Sequence, residues 1–188
     1  PPRSTLFPYT TLFRSRDINN ENITVDYDGG KYFSVNVATA DGIPVVGASV
    51  KFNINGKTTP VQTDANGIAK IKITDVPKKY TITTTYNGKT VKNTVTVKQV
   101  LTTSKVTVKK TAKKFTLKAT LKINGKLVKG KKITFKLNGK TYKVKTNAKG
   151  VAQKTLNKKV INKLKKGKTY TVKVTYLKDT IKTTVKVK

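Results

Sequence analysis

The chain has 188 residues, and its 41 basic and 8 acidic side chains give a formal net charge of +33. Cysteine and histidine are absent, which excludes disulfides, thiolate metal sites and the commonest general bases. No apolar run approaches the roughly 20 residues of a membrane span and no signal peptide is visible, so we expect any export signal or anchor outside this sequence.

The first 16 residues differ in composition from the rest of the chain. They hold all three arginines, Arg3, Arg14 and Arg16, and three of the six prolines. Residues 1–15 resemble translated sequencing-adapter read-through; the alternative is a natural apolar leader, although the pattern matches no targeting class. We predict an unstructured, artefactual leader over residues 1–16 and exclude it from the fold.

Short alternating stretches of Val, Ile, Thr, Tyr and Phe, separated by Gly and Asn pairs, begin at Ile18. Alternation with a period of two between regular turn signals is typical of an all-β sandwich or barrel. The first half predicts strands near residues 22–27, 31–39, 47–54, 57–63, 67–74, 79–87 and 89–98. The second half predicts them near residues 102–109, 113–122, 131–138, 140–147, 150–156, 168–177 and 179–187.

The two halves are copies of one sequence. Asn55-Gly56-Lys57 recurs 83 residues later as Asn138-Gly139-Lys140. Tyr80-Thr81-Ile82 recurs 90 residues later as Tyr170-Thr171-Val172, because the second copy carries a seven-residue insertion. A repeat of this length is too long for a solenoid and suits a sandwich domain. We therefore predict two tandem immunoglobulin-like seven-strand antiparallel β-sandwiches, over residues 17–98 and 99–188.

Turn signals recur in both copies. Asn-Gly pairs begin at Asn55, Asn87 and Asn138 and predict tight hairpins. Residues 64–67 and 147–150 predict type I turns closed by a left-handed glycine. Residues 26–30 and 64–67 also resemble calcium loops faintly, but no late Glu follows and the second copy replaces Asp64 with Asn147. We interpret both segments as turns and predict no metal site.

Alternation also predicts which side chains form the core. Tyr80 and Tyr170 occupy the place where such sandwiches often bond a hydroxyl to backbone. Lys154 stands where the first copy has Ile71, which predicts a bulge or a lysine that reaches the edge.

The insertion, residues 157–167, predicts one helical turn with Val160, Ile161 and Leu164 inward. The predicted core of the second copy comprises Phe115, Leu117, Ala119, Leu121, Ile133, Phe135, Leu137, Tyr170, Val172, Val174, Tyr176, Val185 and Val187.

Reactive clusters are missing from the sequence. Seven of the eight acids precede residue 76, and none recurs at the equivalent position of the second copy. Asp179 is the single acid of residues 99–188, and nothing marks a Lys and an Asn partner for an internal amide cross-link. We therefore expect no enzyme activity, no catalytic residue and no cofactor.

Lysine dominates the surface of the second copy. Residues 99–188 contain 28 lysines, and every basic residue after position 16 is lysine. Arginine is the usual device for bidentate base or phosphate recognition, so we expect no specific nucleic-acid binding. Outward positions of predicted strands two and four hold Lys114, Lys118, Lys122, Lys143 and Lys145. Those of strands three, six and seven hold Lys132, Lys136, Lys173, Lys182 and Lys186.

Two interpretations of these lysines stay open. Spread over both faces, they form a solvated surface that discourages edge-to-edge pairing of sheets, which is the interpretation we favour. The alternative is a polyanion site, for which Lys132, Lys136, Lys173, Lys182 and Lys186 are the candidate contacts. Either arrangement attracts acidic polymers weakly and without specificity.

The first copy contains G, then V-x-F-x-x-N-G-K, then T-D-x-N-G, then Y-x-I, at Gly47 and residues 50–57, 63–67 and 80–82. With its second-copy counterpart, which ends in Y-x-V at residues 170–172, this motif resembles the immunoglobulin-like repeats of adhesin-like surface proteins of methanogenic archaea. The resemblance covers about residues 20–188. It implies an exported, repeated stalk or adhesion region at the cell surface or cell wall. Its implied partners are polymers of the cell envelope or of host and neighbouring cells. The alternative function is a module that binds acidic glycans or cell-wall polymers through the lysine-rich faces of the second domain.

Overall fold

The computed structural model describes residues 21–188, which form two compact units. The first unit comprises residues 21–24, Gly30–Ile73 and Lys79–Thr96, and the second comprises Val25–Gly29, Thr74–Lys78 and Val97–Lys188. The leader predicted over residues 1–16, with its adapter resemblance, lies outside the described residues. The division into domains 17–98 and 99–188 stays a prediction.

The first copy folds into seven strands in two sheets. One sheet has the order β1-β7-β6-β3-β4, and the other pairs β2 with β5. The strands are β1 (Ile23–Asp26), β2 (Tyr32–Asn36), β3 (Ser49–Ile54), β4 (Lys57–Gln62), β5 (Ile68–Lys72), β6 (Lys78–Tyr86) and β7 (Lys89–Lys98).

The second copy has nine strands and one short helix. A five-stranded sheet has the order β13-β12-β15-β16-β9, and the sheet packed against it has β10 between β8 and β14, with β11 paired to the end of β10. The elements are β8 (Leu101–Thr103), β9 (Val106–Val108), β10 (Lys114–Ile123), β11 (Lys126–Leu127), β12 (Lys132–Leu137), β13 (Lys140–Lys145), β14 (Val151–Asn157), α1 (Lys158–Asn162), β15 (Thr169–Tyr176) and β16 (Asp179–Val187).

The all-β sandwich prediction is confirmed, and alternation explains why. Successive side chains of a strand point to opposite faces, so one apolar set meets in the interior. Each copy closes its own core around an equivalent phenylalanine, Phe52 or Phe135, and both are fully buried. Every predicted core residue of the second copy is buried except Tyr170, which is half-buried. In residues 21–188 no helix has the length and apolar character that a membrane span requires.

The single strand predicted over residues 102–109 is wrong. The chain leaves one sheet after Thr103 and joins the other at Val106: β8 pairs with β10, whereas β9 pairs in parallel with β16. The parallel pairing also departs from the purely antiparallel prediction. In one continuous strand, residues seven positions apart point to opposite faces. Leu101 and Val108 are seven positions apart and both are buried, so the chain must break between them and change sheets.

The turns confirm the local predictions. The hairpin pairs have left-handed φ values at both residues, for example 52° and 77° at Asn55 and Gly56, as a type I′ turn requires. Asp64 Oδ1 accepts hydrogen bonds from the N–H groups of Asn66 and Ile68 at 2.9 and 3.0 Å. Asn147 Oδ1 forms the equivalent pair of bonds at the same distances. Asp64, the first residue of the segment 64–67 that resembles a calcium loop, therefore acts as a turn residue.

The insertion forms the predicted helical turn. Ile161 and Leu164 are buried, and Val160 is half-buried. Lys110 Nζ donates to the carbonyl oxygens of Ile161, Asn162 and Leu164, at 3.1, 3.1 and 2.5 Å. A lysine thus binds carbonyl oxygens at and just beyond the end of α1, where a positive charge also favours the helix dipole.

Two smaller predictions concern single side chains. The Tyr170 hydroxyl accepts a hydrogen bond from the N–H of Lys165 at 2.7 Å, which confirms the bond to backbone. Lys154 lies on the edge strand β14 in unbroken register with Leu117, so it extends along the edge without a bulge. Its Nζ stands 5.9 Å from the centre of the Tyr142 ring.

Candidate functional site

Acidic side chains do not gather anywhere in residues 21–188. No group of three or more His, Cys, Asp or Glu side chains that could hold a metal ion occurs in this part of the chain. Asp64 is used by its turn, and Asp179 is fully buried. A shallow hollow of about 550 Å³ on the β8-β10-β14 face holds one titratable group, Lys118. It is lined by Thr102, Thr103, Ser104, Lys118, Thr120, Asn147, Val151 and Gln153.

The outer face of the five-stranded sheet consists mainly of lysine and threonine. The Asn138-Gly139 turn joins β12 to β13, and strand pairing continues from β12 through β15 and β16 to β9. Outward positions alternate with the buried ones, so the lysines of these strands point to solvent. We call this surface the lysine face; its lysines are Lys132, Lys136, Lys143, Lys145, Lys173, Lys182 and Lys186.

Three of the five predicted contacts form a row across the lysine face. Lys136 lies directly opposite Lys173, and Lys173 lies directly opposite Lys182. All three are exposed. Neighbouring strands are about 4.8 Å apart, so the three backbone positions span about 10 Å. We call Lys136, Lys173 and Lys182 the lysine row.

The other two predicted contacts lie away from this row. Lys132 stands at the start of β12, opposite Lys145. Lys186 stands near the end of β16, opposite Thr169, and its neighbour on β9 is Thr107. The structure therefore places all five candidates on one sheet but brings only three of them together.

The predicted distribution of lysines over the two faces is wrong for two residues. The sequence predicts Lys143 and Lys145 on the face of Lys114, Lys118 and Lys122, yet β13 pairs with β12 and belongs to the lysine face. The reason is that a two-residue hairpin turn forces its strands to be neighbours in one sheet. The Asn138-Gly139 pair was therefore the sequence signal that could have placed them. Among the residues named, the lysine face holds seven lysines and the β10 face three.

Residues 99–188 contribute no exposed acidic side chain to the lysine face. Asp179 is the only acidic side chain of residues 99–188, and it is fully buried, so no side-chain carboxylate of this segment is exposed. Asp179 Oδ2 accepts hydrogen bonds from the N–H groups of Val100 and Leu101 at 2.9 and 3.2 Å, while Oδ1 is buried without a partner. The acid therefore serves the interior and does not neutralise the lysines.

Tyrosines supply the resolved pKa changes. Burial, followed by the hydrogen bond to Asp28 at 2.7 Å and the negative charge of that carboxylate, raises the pKa of Tyr176 well above its usual value. Burial also raises the pKa of Tyr142. Both phenols stay neutral at physiological pH and add no charge to the lysine face.

Comparison with known proteins gives likeness of shape only. Neither protein-family models nor curated proteins match this chain. Among solved structures, the chain is similar to the I9–I11 tandem of titin, with 14% identity, a TM-score of 0.45, and coverage of 90% of this chain and 65% of that one. It is similar to the D0-D1 domain of intimin, with 17% identity, a TM-score of 0.35, and coverage of 92% and 95%.

A third similar structure is a Ca²⁺-stabilized, ice-binding adhesin of an Antarctic bacterium, with 18% identity and a TM-score of 0.32. The match covers 91% of this chain and 50% of the adhesin chain. This chain thus spans about half of that adhesin structure and about two thirds of the titin one.

Proposed function

We propose that this chain is a non-catalytic structural and adhesive segment of an exported cell-surface protein. The observation that carries the proposal is the exposed lysine face on a repeated sandwich whose described residues hold no reactive cluster. The residues of each copy form mainly a core and tight turns, which suits a module that spans distance or presents a surface. The resemblance to adhesin-like proteins of methanogenic archaea supports the same proposal, with a location at the cell surface or cell wall.

A second candidate is a module that binds polyanions, such as acidic glycans or cell-wall polymers. The lysine row favours it, because three like charges face one another with no exposed side-chain carboxylate of residues 99–188 beside them. Such a surface raises the local concentration of acidic polymers. The partners proposed are therefore polymers of the envelope or of neighbouring cells.

Binding across a salt series separates the two candidates. The purified chain is passed over immobilised heparin, DNA, an acidic polysaccharide and a neutral polysaccharide, from low salt to about 0.3 M NaCl. A purely structural segment releases every polymer near physiological salt, because only its general field attracts them. A polyanion-binding module retains one acidic polymer with saturable stoichiometry. Cleavage of any polymer, seen as new chain ends, would contradict the non-catalytic proposal.

A further inference from the structure

The lysine row lies between rows of threonine. Two residues along the strands, Thr134 pairs with Thr175, and Thr175 pairs with Thr180. The Thr175 and Thr180 hydroxyl oxygens are 3.0 Å apart and share a hydrogen bond. On the other side of the lysine row, Thr171 pairs with Thr184. Charged and hydroxyl rows therefore alternate across the sheet, about 7 Å apart along the strands.

Folding does not require the lysine row. Like charges directly opposite each other on paired strands destabilise a sheet. The first copy builds the same strands with Asn53 opposite Thr83, and only Lys92 matches a lysine of the row. It keeps the threonine pair, because Thr85 and Thr90 hydroxyls are 3.2 Å apart. The two copies thus share the hydroxyls and differ in the charge.

The chemistry of the row selects among anionic polymers. Lysine is a compact point charge, whereas arginine is the side chain that matches phosphate by two parallel hydrogen bonds. The sequence has no arginine after residue 16, so this way of binding phosphate is missing from both copies. Threonine hydroxyls both donate and accept hydrogen bonds, which suits a partner that is rich in hydroxyl groups. A polymer that combines carboxylates with hydroxyls meets both requirements.

We infer that the lysine row binds an extended polysaccharide that carries one carboxylate on each sugar ring. The polymer lies across strands β12, β15 and β16, with successive carboxylates at Lys136, Lys173 and Lys182 and ring hydroxyls at the threonine rows. This inference rests on the polyanion-binding candidate above and names its ligand class and its contacts.

Three triple variants of the full chain test the inference, each lowering the net charge by the same amount. The row variant carries Lys136→Gln, Lys173→Gln and Lys182→Gln. The corner variant, on the same face, carries Lys132→Gln, Lys143→Gln and Lys145→Gln. The opposite-sheet variant carries Lys114→Gln, Lys118→Gln and Lys122→Gln. Affinity for short polygalacturonate chains is measured by calorimetry at about 0.15 M NaCl, and circular dichroism verifies that each variant is folded.

We expect the row variant to lose about tenfold to hundredfold in affinity and the other two about threefold or less, because only the row makes direct contacts. Equal losses in all three variants would overturn the inference while leaving a general polyanion field intact. Stronger binding of polyphosphate or DNA than of polygalacturonate would overturn the ligand class. If the unchanged chain binds no acidic polymer at this salt concentration, the polyanion-binding candidate itself fails.

Rebuilding the lysine row on the first copy distinguishes a loss of direct contacts from a loss of stability, because only restored contacts can restore binding. In the row variant, Asn53→Lys and Thr83→Lys are added, which places two lysines opposite each other on β3 and β6 beside Lys92. We expect affinity for polygalacturonate to return to within about threefold of the unchanged chain. The matched control adds Tyr32→Lys and Ser34→Lys on the exposed face of β2 and should restore no binding. Equal recovery in both would overturn the inference.

Discussion

Asp179 Oδ2 accepts a hydrogen bond from the N–H of Val100 at 2.9 Å, although 79 residues separate the two in sequence. The same oxygen accepts from Leu101 at 3.2 Å, and all three residues are buried. The equivalent residue of the first copy, Lys89, is exposed. A single buried acid therefore holds the backbone at the start of β8. Within residues 21–188, only the second copy has this arrangement.

Replacing Asp179 by Ala should lower the free energy of unfolding of the second unit by about 2–4 kcal/mol. The change leaves two buried N–H groups without an acceptor, and each unsatisfied group costs about 1–3 kcal/mol. Urea denaturation followed by circular dichroism measures the loss. The matched control is Asn147→Asp, which should be neutral because Asp64 forms the same two bonds in the first copy. A loss below about 0.5 kcal/mol for Asp179→Ala would refute the role of the acid.

The Lys110 ammonium should stabilise the insertion helix. Lys110→Met removes three hydrogen bonds to the carbonyl oxygens at the end of α1 and should cost about 1–3 kcal/mol, because bonds to a charged group are stronger than neutral ones. Hydrogen exchange of the amides around Ile161 and Leu164 should accelerate at the same time. Lys109→Met, at the exposed neighbouring position, is the control and should leave both measurements unchanged.

Tyr176 should contribute to alkaline unfolding. Its pKa is raised in the folded chain, first by burial and then by Asp28, so the folded state holds the phenol proton more tightly than the unfolded state. The stabilisation is complete below the unfolded value of about 10 and declines as the pH rises through that value towards the folded pKa. Tyr176→Phe should therefore reduce the loss of unfolding free energy between about pH 9 and pH 11.

Phenolate absorbance gives an independent measurement of the same effect. The difference between the unchanged chain and Tyr176→Phe isolates this tyrosine and cancels the absorbance of the other seven tyrosines, which both proteins share. We expect no ionisation of Tyr176 at about pH 11 while the chain is folded. Ionisation near the ordinary tyrosine value would contradict the proposed environment.

Local sequence signals predicted the strands and cores because they depend only on neighbouring residues. A period of two explains why Phe135 and Val174 are buried, and the Asn-Gly pairs explain the hairpins. Which sheet a strand joins is a tertiary question that alternation does not answer, so Lys143 was placed on the wrong face. The burial of Asp179 depends on a bond to a residue 79 positions away, which no local pattern contains.

The lysine row was only partly predictable for the same reason. Alternation predicted that Lys136, Lys173 and Lys182 point outward, but their alignment depends on the register of β12, β15 and β16. Register follows from the turns and from the burial of one face, and both are properties of the folded sandwich. The buried hydroxyls of Thr63 and Thr146, which bridge two loop segments in each copy, were missed because threonine is common throughout the sequence.

Mutual repulsion in the lysine row should be measurable. Lys173→Thr, which introduces the residue of the first copy, should raise the free energy of unfolding by about 0.5 kcal/mol at low salt, because Lys173 faces a lysine on either side. The gain should shrink at about 1 M NaCl, where the screening length is about 3 Å. Lys118→Thr is the control, since Lys118 lies opposite Gln153, and its effect should not depend on salt. A gain at Lys173 that persists at high salt would point to strand propensity instead of charge.

The two copies should unfold as separate units, because each has its own core. Phe52 packs edge-on against Phe33 with ring centres 5.9 Å apart, and its counterpart Phe135 is buried among residues of the second copy. Phe52→Ala should remove about 3–5 kcal/mol from the first unit, and Phe135→Ala should remove as much from the second. Hydrogen exchange resolved by residue should show faster exchange only in the unit that carries the change. Acceleration across residues 21–188 in both variants would mean that the copies fold as one cooperative unit, and would contradict the predicted domains.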